Sequence, residues 1–428
     1  LNEQEGMSMR SMMVQSTASA GSFVAKCLAR AIALVGIIGP FLAAPAQGGQ
    51  FHPQRLAAIA PRMQKFVDEG VVAGVVTVVG NSQGVAHHEA VGWQDIESRR
   101  PMTKGSLFRI ASMTKPITAI GILQLHEAGK LSIEDPVEKH LPEFQGQMLV
   151  ERREEGRVIL KRPTRPITIR DLLTHTSGLP GGFPPGLADL YFRRHYSLAE
   201  ATCIQSQRPL EFEPGSRWAY CNAGIDTLGR IIEVVSGQSY EDYLAQHVFR
   251  PLGMVDTTFY PTEQQLDRLA TMYAQREGKL VPAGYVLVGP PQRARHPIPA
   301  AGLFSTGSDL ARLYQALLLQ GRLGEVRILR PESVALMTQV HTGQLVTGFT
   351  PGMGFGLGWG VIREPQGVHA MLSPGTFGHG GAFGTQGWID PHKDLFVILL
   401  IQRTGLPNSD ASELRRELQQ LALDALSP

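Results

Sequence analysis

Two β-branched runs, 71–80 and 85–91, are separated by Asn81-Ser82-Gln83-Gly84, a pattern that predicts an antiparallel hairpin. Leu107-Phe108-Arg109-Ile110 leads into Ser112, after which Ile117, Ile120, Leu123 and Ala128 recur at helical spacing up to Gly129, a helix-stop residue. From there to about position 291 strand-like alternation is hard to find. Ile225, Leu228, Ile231, Ile232 and Val235 recur every three or four residues, and the region reads as helices joined by long loops. Within it, the strongly charged segment 151–165 reads as a solvated excursion. Beyond Gly302 the pattern predicts a helix over 309–319, strands over 384–389 and 395–401, and an amphipathic helix over 410–426. Strands near both ends with helices between them predict a sheet closed by distant segments, with a helical insertion.

Composition narrows the function classes. With 428 residues, 43% of them hydrophobic and 18% charged, the chain buries a large core. Lys+Arg number 40 against 38 Asp+Glu, so a net charge of +2 leaves no electrostatic footprint for nucleic acid. Three cysteines make no disulfide scaffold, and none has metal-ligand spacing. His87-His88-Glu89 and His126-Glu127 lack the second histidine of a zinc-protease helix, and neither a phosphate loop nor a dinucleotide fingerprint is present, so no metal or organic cofactor is expected. Lys26 and Arg30 precede the apolar run 31–44, which is shorter than the ~20 residues that span a bilayer. Ala44-Pro45-Ala46 follows as a small-x-small cleavage pattern. Residues 1–46 are therefore read as an upstream extension and signal peptide, 47–428 as the mature protein, periplasmic or secreted and without a stable membrane anchor. Whether Cys203 and Cys221 then pair is open.

Three short motifs carry chemistry. In Ser112-Met113-Thr114-Lys115, a helix opening at the serine brings Lys115 one turn on to the same face, within reach of a hydroxyl that needs a base to become a nucleophile. Tyr220-Cys221-Asn222 offers a phenol whose proton an adjacent ammonium would loosen, and an amide to orient Lys115 or substrate. His379-Gly380-Gly381 lets a substrate approach the backbone closely, and the N–H of Ala382 with that of Ser112 supplies two oxyanion donors. Taken singly, each also fits an ordinary role: a capped helix with a surface lysine, a half-buried tyrosine before a turn, a glycine-rich strand edge. Gly80-Asn81-Ser82-Gln83-Gly84 matches the G-x-S-x-G nucleophile elbow, but a second β-rich run follows where a helix is required, so Ser82 is read as a turn residue.

The three motifs stand in one order, and further segments join them: Leu172-Leu173-Thr174-His175-Thr176-Ser177-Gly178-Leu179, Phe212-Glu213-Pro214-Gly215, Pro251-Leu252-Gly253-Met254, Ala301-Gly302-Leu303-Phe304-Ser305-Thr306 and 354–359. Over roughly 55–403 the chain resembles the serine β-lactamase and penicillin-binding-protein superfamily, in its class C-like branch, and within that the family VIII carboxylesterases. The resemblance implies an α/β (α+β) fold of β-lactamase/transpeptidase type, an antiparallel sheet flanked by helices beside a mostly helical subdomain. It puts the α/β subdomain at about 51–115 plus 295–428 and the helical one at about 116–294. It further implies Ser112 as the acylated nucleophile, Lys115 as its proton partner, Tyr220 as general base, and Ser112 with Ala382 as the oxyanion hole. Asn222, His379, Gly380, Gly381 and Trp359 are the expected substrate contacts, with Phe383 and Trp388 as further aromatic candidates.

His379-Gly380-Gly381 replaces the family's K-T-G element, whose lysine offers a cation to a substrate carboxylate, whereas a histidine is largely neutral near pH 7. The expected activity is therefore hydrolysis of short to medium acyl esters through a Ser112 acyl-enzyme, with side activity on β-lactams. A cation supplied instead by Arg109 or Arg293 would favour a β-lactamase, a D-Ala-D-Ala carboxypeptidase or a D-aminopeptidase. Acyl transfer to an alcohol or amine is a further alternative, and a non-catalytic member of the fold a third. The expected partner is a small-molecule ester or amide.

Overall fold

The computed structural model describes residues 49–284 and 295–427, so the expected leader and Arg293 lie outside the described residues. Helix α1 spans Ile59–Asp68, strands β1 and β2 span Gly74–Asn81 and Gly84–Asp95, and β3 is the short pair Arg100–Pro101. A 3-10 turn, Ala111–Met113, runs into α2, Thr114–Glu127. Helix α3 covers Asn222–Ser236 and α4 covers Gly307–Leu318. Strands β4 to β8 follow at Met353–Phe355, Gly360–Ile362, Phe377–Gly380, Gln386–Asp390 and Leu395–Leu400, before α5 at Glu413–Asp424.

Among the described residues these strands make one eight-stranded antiparallel sheet in the order β4-β5-β6-β7-β8-β1-β2-β3. The hairpin near the beginning of the fold pairs with the last long strand, Val76 opposite Leu400 and Val78 opposite Ile398. Side chains alternate across a strand, and both sets are buried here. Val76, Val78, Phe396, Ile398 and Leu400 join the large core that includes α2, α3 and α4. Val75, Val79, Val397 and Leu399 pack with α1 and α5 on the other side. Cover on both faces explains why these strands read as continuous apolar runs rather than alternating ones.

Helix α2 is the centre of the molecule. Residues 114–123 are all buried, including Thr114, Lys115 and Thr118, so it carries no polar stripe and its register cannot be read from periodicity alone. It packs against α3, the helix anticipated from Ile225, Leu228, Ile231 and Ile232.

Several features depart from the expected elements, among them β4 and β5, which the hydrophobic pattern does not mark as strands. The region read as helix and loop contains hairpins Leu149–Glu154 with Arg157–Lys161 and Tyr273–Arg276 with Lys279–Pro282. The first is largely exposed, with Arg152 paired to Glu154 and Arg153 to Glu211, so no buried face imposes a period of two. The closing helix is shorter than expected. Ser412 accepts a hydrogen bond from the Arg415 N–H and caps α5, which leaves Asp410 in a preceding 3-10 turn.

Candidate active site

Ser112 does not open the helix itself. It occupies the 3-10 turn before α2, after Ala111, whose φ of +45° is uncommon for a residue with a side chain. The turn still delivers the expected pair: Lys115 Nζ lies 3.0 Å from Ser112 Oγ and donates to the Ala300 carbonyl at 2.8 Å. Lys115 has no exposed surface. Burial lowers its ammonium to about 7, against the opposing pull of Asp226 and Cys221. The same environment pushes the Asp226 carboxyl up to about 6, opposed by hydrogen bonds from the Tyr191 hydroxyl and the Ala300 N–H. A lysine in this state takes a proton at neutral pH, which an exposed lysine does not.

Tyr220 completes the cluster, with Lys115 Nζ 4.6 Å from its ring centre. The expectation that the ammonium would loosen the phenolic proton is corrected. Desolvation holds the phenol above its ordinary range, Asp410 and Cys221 add to that, and a hydrogen bond with Ser112 offsets only part. Asn222, the first residue of α3, makes no hydrogen bond to Lys115, and its buried Oδ1 is left without a protein partner.

His175 was not singled out in the sequence, although it lies in one of the quoted family segments. Its carbonyl accepts from the Ala219 N–H at 2.9 Å and its Nδ1 from the Cys221 N–H at 3.2 Å, so both chain neighbours of Tyr220 are tied to one residue. Its ring lies 4.5 Å from that of Tyr220. Because Nδ1 accepts, the proton sits on Nε2, which is buried and unpartnered. Burial, Lys115 and His379 together hold His175 well below the usual imidazole range, and it stays neutral.

The end of β6 comes to the Ser112 turn through glycine. A Cβ on Gly381 would stand 2.6 Å from the Ile110 carbonyl oxygen and 2.2 Å from Thr385 Oγ1, so a larger residue would push the strand away. The Gly381 N–H donates to the Thr385 carbonyl at 2.7 Å, and Thr385 Oγ1 donates to Ile110 at 3.3 Å. Among the described residues, neither the Ser112 nor the Ala382 N–H has a hydrogen-bond acceptor, as oxyanion donors require. His379 Nδ1 donates to the Gly380 carbonyl at 2.7 Å, leaving Nε2 buried and unpartnered. Burial and the Lys115 charge lower its pKa to about 3. His379 is therefore neutral.

The aromatic wall is not the expected one. Trp359 is wholly buried, edge-on to Tyr314 and Phe377, and belongs to the core rather than the cleft. Phe383 packs with Ala111 and Met272, while Trp388 lies beneath the Arg415 guanidinium. Trp218, Phe349 and Phe355 gather around Tyr220 and His175 instead, with ring centres 5.0–6.3 Å apart. A usable signal for Trp218 was its position two residues before Tyr220 in a non-helical segment, where alternate residues share a side. Arg109 is buried with its guanidinium over Phe304. Cys203 and Cys221 are both free thiols, one exposed and one buried. Ser82 sits in the β1–β2 turn and donates through Oγ to Asp394 at 2.7 Å.

Comparison with known proteins identifies the family and the fold. Esterase EstB of Burkholderia gladioli is 31% identical over 80% of this chain and 90% of its own. A putative D-alanyl-D-alanine carboxypeptidase of Escherichia coli is 26% identical over 84% and 85% of the two chains. Among solved structures, EstCE1, a hydrolase with promiscuous acyltransferase activity, superposes with a TM-score of 0.72 at 29% identity, over 87% of this chain and 98% of its own. The fold is thus β-lactamase/transpeptidase-like, an antiparallel sheet with flanking helices. The β-lactamase family model matches residues 59–422, and the chain belongs to that family, within the serine β-lactamase and penicillin-binding-protein superfamily of hydrolases.

Proposed function

We propose that this protein is a serine carboxylesterase that cleaves short to medium acyl esters through an acyl-enzyme on Ser112. The observation that carries the reading is the neutral His379 beside the Ser112–Lys115–Tyr220 cluster, where a carboxylate-binding member would present a cation. An apolar acyl or alcohol group finds Trp218, Phe349 and Phe355 along the same wall.

Neutral Lys115 takes the Ser112 hydroxyl proton as Oγ attacks the ester carbonyl. The charge that develops on the carbonyl oxygen faces the N–H groups of Ser112 and Ala382. Collapse breaks the bond to the alcohol, and the departing oxygen takes a proton from the Lys115 ammonium or from Tyr220, whose phenol burial keeps protonated. Water then attacks the acyl-enzyme, gives its proton to the same pair, and returns Ser112 as the hydroxyl. Tyr220 is assigned as proton donor and relay, and Lys115 as the initial base. Asn222 is assigned to orient the bound ester by donating from its amide Nδ2 to an ester oxygen. Acyl transfer is the second reading, supported by the likeness to EstCE1.

The test is the ratio of kcat/KM for p-nitrophenyl butyrate to that for a chromogenic cephalosporin, with Ser112→Ala as the blank. A ratio far above one, lost in the blank, is expected; a ratio far below one moves the activity to β-lactams. We further propose that the protein works in the periplasm or outside the cell, on the strength of the apolar run 31–44 and Ala44-Pro45-Ala46. Fractionation of cells expressing the full chain tests this, and retention in the cytoplasm overturns it.

A further inference from the structure

Gly380 stands in the middle of the His379-Gly380-Gly381 element, and the space its side chain would fill is already occupied. A Cβ there would lie 2.1 Å from Asp410 Oδ1 and 2.4 Å from Gln386 Nε2. Gln386 Nε2 donates to that carboxylate oxygen at 3.1 Å. Asp410 arrives from the short turn before α5, is half-buried, and lines a cavity together with Phe349, Phe355, His379 and Gly380. Among the described residues it has no ion-pair partner.

The cation nearest in sequence, Arg415, lines the same cavity and feels the Asp410 charge, but its donors are committed elsewhere. Arg415 is buried at 1% exposure, with Nε on Gln419 at 2.9 Å, one terminal nitrogen on the Asp410 backbone carbonyl at 2.5 Å and the other on His369 at 2.9 Å. Its plane lies 3.9 Å over Trp388. A ligand entering along the strand edge therefore meets a carboxylate whose Oδ2 has no hydrogen bond among the described residues, while the guanidinium donors are taken. The Asp410 charge reaches the reaction centre, since it is one of the groups that holds the Tyr220 phenol up.

We infer that Asp410 determines specificity by charge: it turns away esters carrying a carboxylate at the His379–Gly380 strand edge and admits esters carrying a cation there, a quaternary ammonium being the simplest case. The inference rests on the ester hydrolase reading and extends it to a substrate class. Like charges brought together in a partly desolvated site repel, and opposite charges attract, by more than the same pair in bulk water.

The experiment compares wild type with Asp410→Asn on aryl esters that are neutral, carboxylate-bearing or trimethylammonium-bearing, in one series with the charge on the acyl chain and in another with it on the phenol. In the series whose charge reaches the strand edge, the variant is expected to raise the anionic-to-neutral ratio of kcat/KM about tenfold and to lower the cationic-to-neutral ratio several-fold. Wild-type discrimination is expected to shrink in about 1 M salt, a readout that serves if the variant does not fold. Ratios unchanged within about twofold in both series, or a wild-type charge preference absent at low salt, overturn the role of Asp410 while the ester reading stands. Failure to turn over even the neutral ester overturns both.

Discussion

Ser82 and Ser112 each have a charged side chain within hydrogen-bond distance of the hydroxyl, and they have opposite characters. Ser82 donates to Asp394 through both Oγ, at 2.7 Å, and its backbone N–H, at 3.0 Å, in the hairpin turn between β1 and β2. Ser112 is approached by Lys115 Nζ at 3.0 Å, and its own N–H has no acceptor among the described residues. A carboxylate is a poor base toward an alcohol, and its two oxygens here tie down a turn. A buried amine whose pKa has fallen to about 7 is a usable base, because the cost of burying its charge is relieved by releasing the proton. The lesson is that a neighbouring charge does not activate a serine. Activation needs a base that desolvation has made ready to accept, and a free N–H where the negative charge will appear.

The sharpest way to break the comparison is to remove each element of the Ser112 site. Ser112→Ala is expected to lower kcat/KM for p-nitrophenyl butyrate by about 10³-fold or more, and Lys115→Met by a similar factor. Residual activity near the wild-type level in Ser112→Ala would return attention to Ser82. The pH dependence sharpens the point. Burial depresses the Lys115 pKa, so the active neutral form gains population as pH rises through about 7, and kcat/KM is expected to climb through that range. A profile that is flat from pH 6 to 8, or that falls, would mean Lys115 does not supply the base.

Next in size is the strand edge. Gly381→Ala is expected to cost about 10²-fold in kcat, the scale of one lost oxyanion donor, because its Cβ would force the strand from the Ile110 carbonyl and carry the Ala382 N–H with it. Circular dichroism and thermal melting separate this from unfolding, and undiminished kcat would remove Ala382 from the reaction. His175 is a positioning residue, so its test is a pair of variants. His175→Asn keeps an acceptor where Nδ1 stood and tolerates the φ of +60°, and is expected to hold kcat within about tenfold. His175→Phe keeps the ring and loses the acceptor, and is expected to fall by a further factor of about ten, mainly in kcat and with a displaced pH profile. Equal rates for the two variants would mean the Cys221 N–H contact does not hold Tyr220.

What was legible in the sequence follows from the range of each signal. Ser112 and Lys115 are three residues apart, and local helical geometry alone predicts that they meet. The strands over 386–390 and 395–400 were visible because both of their faces are buried, those of the last strand in separate cores on the two sides of the sheet. The surroundings of Tyr220 were not visible, because His175, Phe349, Phe355 and Asp410 come from separate segments, and one sequence carries no distance between them. Trp359 was expected at the substrate because it is large and aromatic, yet such a side chain fills a core as readily as a cleft. For Tyr220 the sequence suggested a charge effect and gave no measure of burial, and burial decides the sign.

The smallest expected effect tests the other half of the comparison. If Ser82 is a turn residue, Ser82→Ala should leave kcat/KM within about twofold and cost about 1 kcal/mol in stability, the scale of one side-chain hydrogen bond. The cost should stay small because Gln315 Nε2 still donates to the Ser82 carbonyl at 3.1 Å and anchors the turn to α4, while the Ser82 N–H keeps Asp394. Asp394→Ala should cost more than Ser82→Ala, since it leaves both the N–H and the hydroxyl of Ser82 without their acceptor. Chemical denaturation of the two variants orders them. A Ser82→Ala protein as stable as wild type but deficient in ester hydrolysis would reverse the assignment, because a structural hydroxyl affects folding before it affects rate.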